Sequence, residues 1–356
     1  MFDVIIGNPP YINISKIKNK NLMKDKFNIH GDIDIGTLFY RIAYDYLIGN
    51  GVVCYVTSNK WLSSLSGALI RKFIKENFRV VRIVNTYRVR LFEVHMEVCI
   101  ILALKARGVK DYEVEVKVVK PRIGYRWRAV REEGYYIPSA QLTDIIWHLE
   151  PPEVMSIYYT IQKIGTPISK WPIRITTGIR LRKYASEIIT TPQEGTDWIG
   201  IIKGRDIQKY FHKPPSIWLP KSIIPAISTS DNKYRIIFSK LNAEIGFVLA
   251  DSYTYGDETT YILELIDYDE EVLYYLLGIV NSKFFDWCFR KFYAGGGIEG
   301  EVKIYAIKQF PIPKIENNRN WAEKIIEITK LIYKTDSLEY GNDIDSYVLE
   351  LYGAKG

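Results

Sequence analysis

The chain has 356 residues, 47% of them hydrophobic and 25% charged, which is typical of a globular protein long enough for two domains. We find neither an apolar run long enough to span a bilayer nor a signal peptide, and therefore expect a cytoplasmic protein with no membrane partner. The formal net charge of +7 favours a polyanionic partner, and 27 tyrosines offer flat rings for stacking.

The cysteines and histidines suggest no chemistry of their own. Cys54, Cys99 and Cys288 lie inside apolar segments without CxxC spacing, so we predict buried thiols with neither a disulfide nor a metal site. The four histidines are scattered and receive no role.

The most informative motif is Asn8-Pro9-Pro10-Tyr11, which follows an apolar segment at residues 2–7. That segment predicts a short buried strand, and loops at the carboxyl ends of such strands bind ligands in α/β sheets. The Asn8 side-chain oxygen and the Pro9 carbonyl are acceptors suited to an NH2 group, while Tyr11 offers a face for a flipped base. The alternative is a proline-rich turn at a strand end.

The elements that follow predict an α/β unit. We expect a mobile lysine-rich loop over residues 15–25, and then a helix that Gly49-Asn50-Gly51 ends. Residues 52–56 predict a strand and residues 65–77 a helix. Two further strands, over residues 80–84 and 96–104, follow each other closely enough to form a hairpin.

These residues resemble the gamma-type methyltransferases of restriction–modification systems, which act on the exocyclic amine of adenine in DNA. The tetrapeptide also occurs in the glutamine methyltransferases that modify release factors. The segment 51–62, GVVCYVTSNKWL, resembles the family's fifth strand and its loop. The resemblance implies that Asn8, Pro9, Pro10 and Tyr11 are catalytic and that Phe92 stacks on the other face of the adenine. Alternatively, Phe92 anchors a loop on the core.

The second half resembles the family's TaqI-like target-recognition domain. The matching segments are 176–180 (TTGIR), 202–207 (IKGRDI), 276–284 (LLGIVNSKF) and 310–313 (FPIP). Arg180, Lys203 and Arg205 are therefore candidates for DNA contacts, although Arg205 and Asp206 could instead form a salt-bridged structural turn. In residues 121–150, Arg126 and Arg128 interleave with aromatic residues, which suits either DNA or a solvated linker.

Three other patterns indicate structural elements and not catalytic or cofactor sites. The alternation around Glu113 to Lys117 contains the ExK of nucleases, but it is equally typical of a half-exposed strand. Residues 295–300 match GxGxxG far from any early strand, which indicates a hairpin loop and no cofactor site. We expect a strand over residues 302–307 and terminal helices over 321–333 and 344–352.

Together these predictions give an α/β fold. The C-terminal half of a doubly wound methyltransferase sheet (1–120) precedes a basic, aromatic connector (121–150), a mixed α+β recognition domain (151–318) and terminal helices (319–356). A glycine-rich loop for S-adenosylmethionine does not precede Asn8. We therefore expect an incomplete cofactor site, and a separate polypeptide that carries the cofactor-binding half.

The expected function is methyl transfer to adenine in a specific sequence of double-stranded DNA, with that adenine flipped out of the helix. This chain would then be inactive without its cofactor-binding half. The alternative is a non-catalytic DNA-binding specificity module, and a protein glutamine methyltransferase is the less favoured third interpretation.

Overall fold

The computed structural model describes residues 1–28, 33–86, 97–121, 130–192, 197–226, 233–241, 244–293 and 302–354. The described residues divide into two compact units, and the chain passes from the first to the second between Met155 and Ser156. None of the helices in these ranges is both long and apolar enough to span a membrane.

The first unit is a sheet with helices. Its strands are β1 (Phe2–Gly7), β2 (Leu47–Ser58), β3 (Phe78–Thr86), β4 (Val98–Lys105), β5 (Glu113–Pro121) and β6 (Val130–Pro138). Its helices are α1 (Lys20–Phe27), α2 (Phe39–Tyr46) and α3 (Ala68–Asn77), and α4 (Pro152–Ile164) crosses the boundary between the units.

The sheet is mixed, with strand order β1-β2-β4-β3-β5-β6. β1 runs parallel to β2 and β3 runs parallel to β5, while the remaining neighbours are antiparallel. The expected hairpin of β3 and β4 is confirmed, as is the α/β class. Residues 130–138, which we expected in a connector, form the strand β6 of this sheet.

One face of the sheet is covered by α2 and α3. Tyr40 and Ala43 of α2 and Ile74 of α3 are fully or almost fully buried, in one cluster with Val53 and Ile83 of the sheet. These apolar side chains recur at helical spacing on α2 and α3, so the two helices bury the same side of the strands. We call this side the inner face.

The opposite side of β1, β2 and β4 is apolar but only partly buried. Paired residues of neighbouring strands share a face, so one row of apolar side chains crosses all three strands. This outer face consists of Val4, Ile6, Val52, Cys54, Val56, Ile100, Leu102 and Leu104. Val4 is 53% and Ile6 is 76% exposed. Because β1 ends the sheet, the outer face continues to a free edge.

Two predictions in this unit were wrong. Residues 15–25 do not form a loop throughout, because helix α1 begins at Lys20. Met23 and Phe27 pack against Ile14 and Leu38, and this small cluster fixes the helix. The glycines at 49 and 51 do not end a helix either: α2 ends at Tyr46, and both glycines lie within β2.

The second unit combines small sheets with a helical layer. Its strands are β7 (Thr166–Pro167), β8 (Ile173–Thr177), β9 (Trp198–Ile202), β10 (Ile217–Pro220), β11 (Tyr234–Ser239), β12 (Phe247–Asp251), β13 (Thr254–Gly256), β14 (Thr260–Leu265) and β15 (Pro311–Ile312). Its helices are α5 (Glu270–Asn281), α6 (Lys283–Phe292), α7 (Ile304–Gln309), α8 (Arg319–Thr335) and α9 (Gly341–Leu351). The sheets have the orders β12-β11-β14-β8, β10-β9-β13 and β15-β7.

The end of the chain mixes correct and incorrect predictions. The two terminal helices are confirmed as α8 and α9. The strand predicted over residues 302–307 is wrong, because α7 begins at Ile304. Ala306, Ile307 and Phe310 are all buried at the spacing of a helical turn, and this burial outweighs the alternating pattern. The glycine-rich segment 295–300 lies outside the described residues.

A buried histidine makes the stability of the first unit depend on pH. Burial lowers the pKa of His148 to about 4, whereas an unfolded chain has a histidine pKa of about 6.5. The unfolded state therefore binds the proton more readily, and the free energy of unfolding falls as the pH drops from about 6.5 towards 4.

Acidification lowers the free energy of unfolding, and we expect His148→Gln to reduce this decrease by roughly 1–3 kcal/mol. Thermal unfolding of the wild type and the variant at pH 7.5 and pH 4.5 measures the difference. Equal losses of Tm in the two proteins between these pH values would contradict a neutral, buried His148.

Candidate functional site

The tetrapeptide Asn8-Pro9-Pro10-Tyr11 directly follows β1, at the carboxyl end of that strand. Pro9 is buried, Tyr11 is half-buried, and Asn8 and Pro10 are exposed. Because β1 is parallel to β2, the loop lies at the same edge of the sheet as the residues that follow Ser58. The sequence predicted this position, which is where α/β sheets place ligands.

A short hydrogen bond joins the first and last residues of the tetrapeptide. The Tyr11 hydroxyl donates to Asn8 Oδ1 over 2.5 Å, and the Val56 carbonyl oxygen lies 3.3 Å from the same hydroxyl. Burial raises the pKa of Tyr11 to about 12, so the hydroxyl keeps the proton that it donates. The Asn8 side chain is thereby held with its oxygen towards Tyr11.

Two carbonyl oxygens of the loop can accept hydrogen bonds from a ligand. Asn8 Oδ1 has a second lone pair beside the one that Tyr11 uses. In the described ranges the Pro9 carbonyl receives no donor, whereas the Pro10 carbonyl accepts from the Ile12 N–H over 3.1 Å. An amine between Asn8 and Pro9 would therefore meet two acceptors.

A second segment supports the loop from behind. Asn13 and Asp34 form an antiparallel bridge, and the Ile35 N–H donates to the Ile12 carbonyl over 2.9 Å. The Asp34 carboxylate accepts from the Gly36 N–H over 2.9 Å, and burial raises the pKa of Asp34. Sequence reasoning missed this support, although Asp34 to Gly36 has the D-x-G pattern of an Asx turn.

Phe92 lies outside the described residues, within the segment 87–96. The side-chain amide of Asn59 joins described residues on either side of that segment. Asn59 Nδ2 donates to Asn85 Oδ1 over 3.3 Å and to Glu97 Oε2 over 3.1 Å. Asn59 thus connects the end of β3 to the residue that precedes β4, a role the sequence did not indicate.

In the second unit, two predicted DNA-contact motifs converge on the turn at residues 257–259, between β13 and β14. The Ile179 N–H donates to the Gly256 carbonyl over 2.8 Å. The Gly204 N–H donates to Thr259 Oγ1 over 2.8 Å. Segments of the chain that are 25 residues apart in sequence are thereby brought to one turn.

Two glycines permit this convergence. A Cβ atom on Gly178 would lie 2.1 Å from the Asp257 carbonyl oxygen, and one on Gly204 would lie 2.8 Å from the Thr259 carbonyl oxygen. Both neighbours are backbone atoms that cannot rotate away. The close packing of the backbone therefore requires glycine at these positions of TTGIR and IKGRD.

Cations surround this turn. Arg180 is exposed, and so is 79% of the Arg205 side chain. Lys240 Nζ donates to the Glu258 carbonyl over 2.5 Å. Burial lowers the pKa of Lys240, the carboxylates of Asp257 and Glu258 raise it, and the nearby charges of Arg180 and Lys303 lower it. The sequence did not indicate Lys240 and Lys303, because neither belongs to a motif.

Lys203 and Arg205 flank the Gly204 turn that the sequence predicted. Asp206 Oδ2 accepts from the Lys203 N–H over 3.2 Å, so the carboxylate holds the turn. Its other oxygen lies 4.0 Å from Arg205 Nε, a distance at which an exposed pair contributes little. Asp206 therefore has a structural role in holding the turn, whereas the Arg205 side chain projects into solvent. Arg126 and Arg128 lie outside the described residues.

We expect Gly178→Ala to lower the free energy of unfolding by roughly 1–3 kcal/mol, because the new methyl group meets the Asp257 carbonyl. Chemical denaturation measures the change. Gly341→Ala is the matched control, since nothing lies within 4 Å of its Cβ position. Equal stability of the two variants would contradict the tight packing of the turn.

Two protein families match this chain. Residues 1–92 match the Eco57I restriction-modification methylase family, and residues 199–312 match the TaqI-like C-terminal specificity domain. The first match contains Asn8 to Tyr11, and the second contains Lys203 and Arg205.

Curated relatives match short segments. The Type II methyltransferase M.BanIII of Aneurinibacillus aneurinilyticus is 32% identical over 92 residues, which are 25% of this chain and 16% of the relative. The Type II methyltransferase M.BstVI of Geobacillus stearothermophilus is 28% identical over 118 residues, which are 32% of this chain and 21% of the relative. The matched segments thus span about a fifth or less of each relative.

Solved structures share the fold. The Type IIL restriction-modification enzyme MmeI, in complex with DNA, has a TM-score of 0.65 at 14% identity, over 99% of this chain and 55% of that chain. A nuclease-deletion mutant of the Type ISP restriction-modification enzyme LlaGI, in complex with a DNA substrate mimic, has a TM-score of 0.52 at 11% identity, over 92% of this chain and 41% of that chain.

These matches confirm the resemblance seen in the sequence. The chain is related to the restriction–modification methyltransferases, and it carries a TaqI-like C-terminal specificity domain.

Proposed function

We propose that this chain supplies the target-base half of a gamma-type adenine-specific DNA methyltransferase. The reaction transfers a methyl group from S-adenosylmethionine to the exocyclic amine of adenine in a specific sequence of double-stranded DNA. The observation that carries the proposal is the loop after β1, where the Tyr11 hydroxyl binds Asn8 Oδ1 and, in the described ranges, the Pro9 carbonyl receives no donor.

The chemistry of the amine explains why this arrangement is useful. The lone pair of an adenine amine is delocalised into the ring, so the nitrogen is a poor nucleophile. Hydrogen bonds from the amine to Asn8 and Pro9 favour the pyramidal nitrogen, whose lone pair is localised and can attack. Preorganised groups of this kind stabilise a transition state without having to reorient.

The adenine must leave the DNA helix to reach this loop. Tyr11 offers one ring face for the flipped base, and we propose that Phe92 covers the other face. Stacking of this kind is worth about 1–3 kcal/mol per base. The half-burial of Tyr11 leaves part of its ring accessible to such a base.

The described residues do not fit S-adenosylmethionine on their own. In the described part of the first unit, no glycine-rich turn joins a strand to a helix beside the tetrapeptide, as binding of such a cofactor requires. We therefore place the donor site in another segment, and we assign no donor contact to this chain.

The outer face and the edge of β1 indicate where that segment binds. Parallel strands of α/β sheets are usually covered on both faces, yet Val4 and Ile6 are largely exposed. A free strand edge beside an apolar face invites a further strand. We propose that a segment carrying the donor-binding half, on a separate polypeptide or elsewhere in a longer chain, pairs with β1 and covers the outer face.

The second unit would hold the DNA. Arg180, Arg205 and Lys240 surround one turn, so a phosphate backbone would meet several cations together. The match of residues 199–312 to a specificity domain supports this role. It also makes protein glutamine methylation the less favoured interpretation.

A DNA-binding specificity module without catalysis is the second candidate function. The uncovered outer face favours it, because the catalytic unit is incomplete in the described residues. The two candidate functions make different predictions for Asn8 once the donor-binding half is supplied: the methyltransferase needs Asn8 for methyl transfer, whereas the DNA-binding module does not.

We expect Asn8→Ala to reduce methyl transfer by about 100-fold or more, because the amine loses an acceptor. The assay measures transfer of labelled methyl groups to DNA by the complete assembly, with DNA affinity measured in parallel. DNA affinity should change less than threefold, because Asn8 belongs to the first unit, whereas the cations proposed to hold DNA belong to the second. Loss of affinity and transfer together would indicate a structural Asn8.

Tyr11→Phe and Tyr11→Ala separate two roles of the tyrosine. The Phe variant retains the ring but loses the hydrogen bond to Asn8 Oδ1, so we expect slower methyl transfer with retained base binding. Ala loses both and should weaken base binding as well, as reported by 2-aminopurine fluorescence at the target position. Identical behaviour of the two variants would contradict a separate role for the ring, and transfer by Tyr11→Phe at the wild-type rate would contradict a role for the hydroxyl.

We expect duplex DNA binding to weaken steeply with salt. Arg205→Ala should reduce the slope of log affinity against log salt by about 1, because one phosphate contact is lost. Arg319→Ala is the matched control, since 68% of that side chain is exposed on α8. Equal slopes for both variants in fluorescence anisotropy would exclude Arg205 from the DNA interface.

A further inference from the structure

An open cleft of about 530 Å3 lies in the second unit. It is bordered by β11, β12 and helices α5 and α8. The residues that matter for its chemistry are Tyr234, Asp251, Tyr274, Lys330, Tyr333 and Lys334. No motif in the sequence pointed to this group, because its members are up to 100 residues apart.

Aromatic rings form one side of the cleft. The centroids of Tyr274 and Tyr333 are 6.3 Å apart, and Tyr234 lines the same space. The Tyr333 hydroxyl accepts from the Leu249 N–H over 3.0 Å and donates to the Tyr210 carbonyl over 2.7 Å. These bonds fix the Tyr333 ring, so the aromatic side is built into the fold.

Cations form the other side. Lys330 and Lys334 lie one turn apart on α8, and both are exposed. Lys330 Nζ lies 5.5 Å from the Tyr274 ring centroid, so a cation and an aromatic face adjoin each other. Lys233 Nζ lies 4.8 Å from the Tyr234 ring centroid and adds a third positive charge.

Acidic groups limit how much negative charge the cleft can hold. Asp251 lines the cleft, and its Oδ1 accepts from the Tyr253 N–H over 3.0 Å. Glu270 is close enough to Tyr274 to raise the pKa of that hydroxyl together with burial, to about 12. Among the residues that line the cleft, Lys330 and Lys334 outnumber the single carboxylate of Asp251, and this positive charge suits one phosphate group.

The cleft is at the opposite end of β11 from the turn with the proposed DNA contacts. Tyr234 begins β11 and Ser239 ends it, and Ser239 lies against Gly204, whose N–H donates to Thr259 of that turn. The two ends are about 17 Å apart at the rise of a strand. The residues that line the cleft include none of Arg180, Arg205 and Lys240, the cations proposed to contact the phosphate backbone.

We propose that this cleft binds a single nucleotide, with its base against Tyr234 and its phosphate between Lys330 and Lys334. Aromatic faces bind every base, and two lysines with three donors each bind phosphate. The nucleotide is either a free mononucleotide or an unpaired nucleotide of single-stranded DNA. The proposal does not depend on methyl transfer or on the contacts of Arg205.

Isothermal titration calorimetry of the purified chain tests this proposal with four probes: deoxyadenosine 5′-monophosphate, deoxyadenosine, inorganic phosphate and a 12-nucleotide single strand. We expect the mononucleotide to bind at least tenfold more tightly than deoxyadenosine or phosphate alone. If only the single strand binds, the source of the nucleotide is DNA. If the mononucleotide binds as tightly as the strand, the source is a free nucleotide.

Variants locate the binding. Lys330→Ala/Lys334→Ala should weaken binding at least tenfold, while Lys324→Ala should change it less than twofold. Lys324 is the matched control because it lies on α8 with its Nζ 4.4 Å from the Trp321 ring centroid, outside the cleft. Unchanged Tm values show that the exposed lysines do not affect folding.

Two results would overturn the proposal: no binding of any nucleotide probe at millimolar concentration, or binding that the double variant leaves unchanged. Phosphate that binds as tightly as the mononucleotide would also overturn it, because the tyrosines would then contribute nothing. Duplex DNA binding by the Arg205→Ala variant is a separate measurement, so failure of one proposal is distinguishable from failure of the other.

Discussion

The parallel pairing of β1 with β2 is the constraint on which the candidate catalytic loop depends. It brings the tetrapeptide to the end of β2, where the Val56 carbonyl lies within reach of the Tyr11 hydroxyl. The same pairing leaves β1 at the edge of the sheet, with Val4 and Ile6 exposed. Complete burial of one such side chain is worth about 1.5–3 kcal/mol, so covering the outer face would stabilise an assembly substantially. One pairing thus explains both the position of the candidate site and the exposure of the outer face beside it.

The second unit depends on close backbone approach in a comparable way. Gly178 and Gly204 let two segments reach the turn at residues 257–259, and this approach gathers Arg180 and Lys240. The cations are therefore placed by glycine packing and by backbone hydrogen bonds, since the lysines and arginines themselves repel one another.

The sequence predicted what local patterns determine. Apolar residues followed by Asn8-Pro9-Pro10-Tyr11 predicted β1 and its loop, and the strands β3 and β4 appeared as a hairpin. Patterns failed where tertiary contacts decide the structure. Helix α1 forms because Phe27 packs on Ile14 and Leu38. Helix α7 forms because Ala306, Ile307 and Phe310 are buried at helical spacing. The hydrogen bond from Tyr11 to Asn8 and the approach of Lys240 to Arg180 are three-dimensional facts that no spacing encodes.

The central claim is that this chain holds the target amine while another segment holds the methyl donor. A methyl-transfer assay with labelled S-adenosylmethionine and double-stranded DNA tests the claim most directly, with the purified chain alone and then with the donor-binding half added. The account predicts no transfer by the chain alone and restored transfer in the mixture. Robust turnover by the chain alone would contradict it.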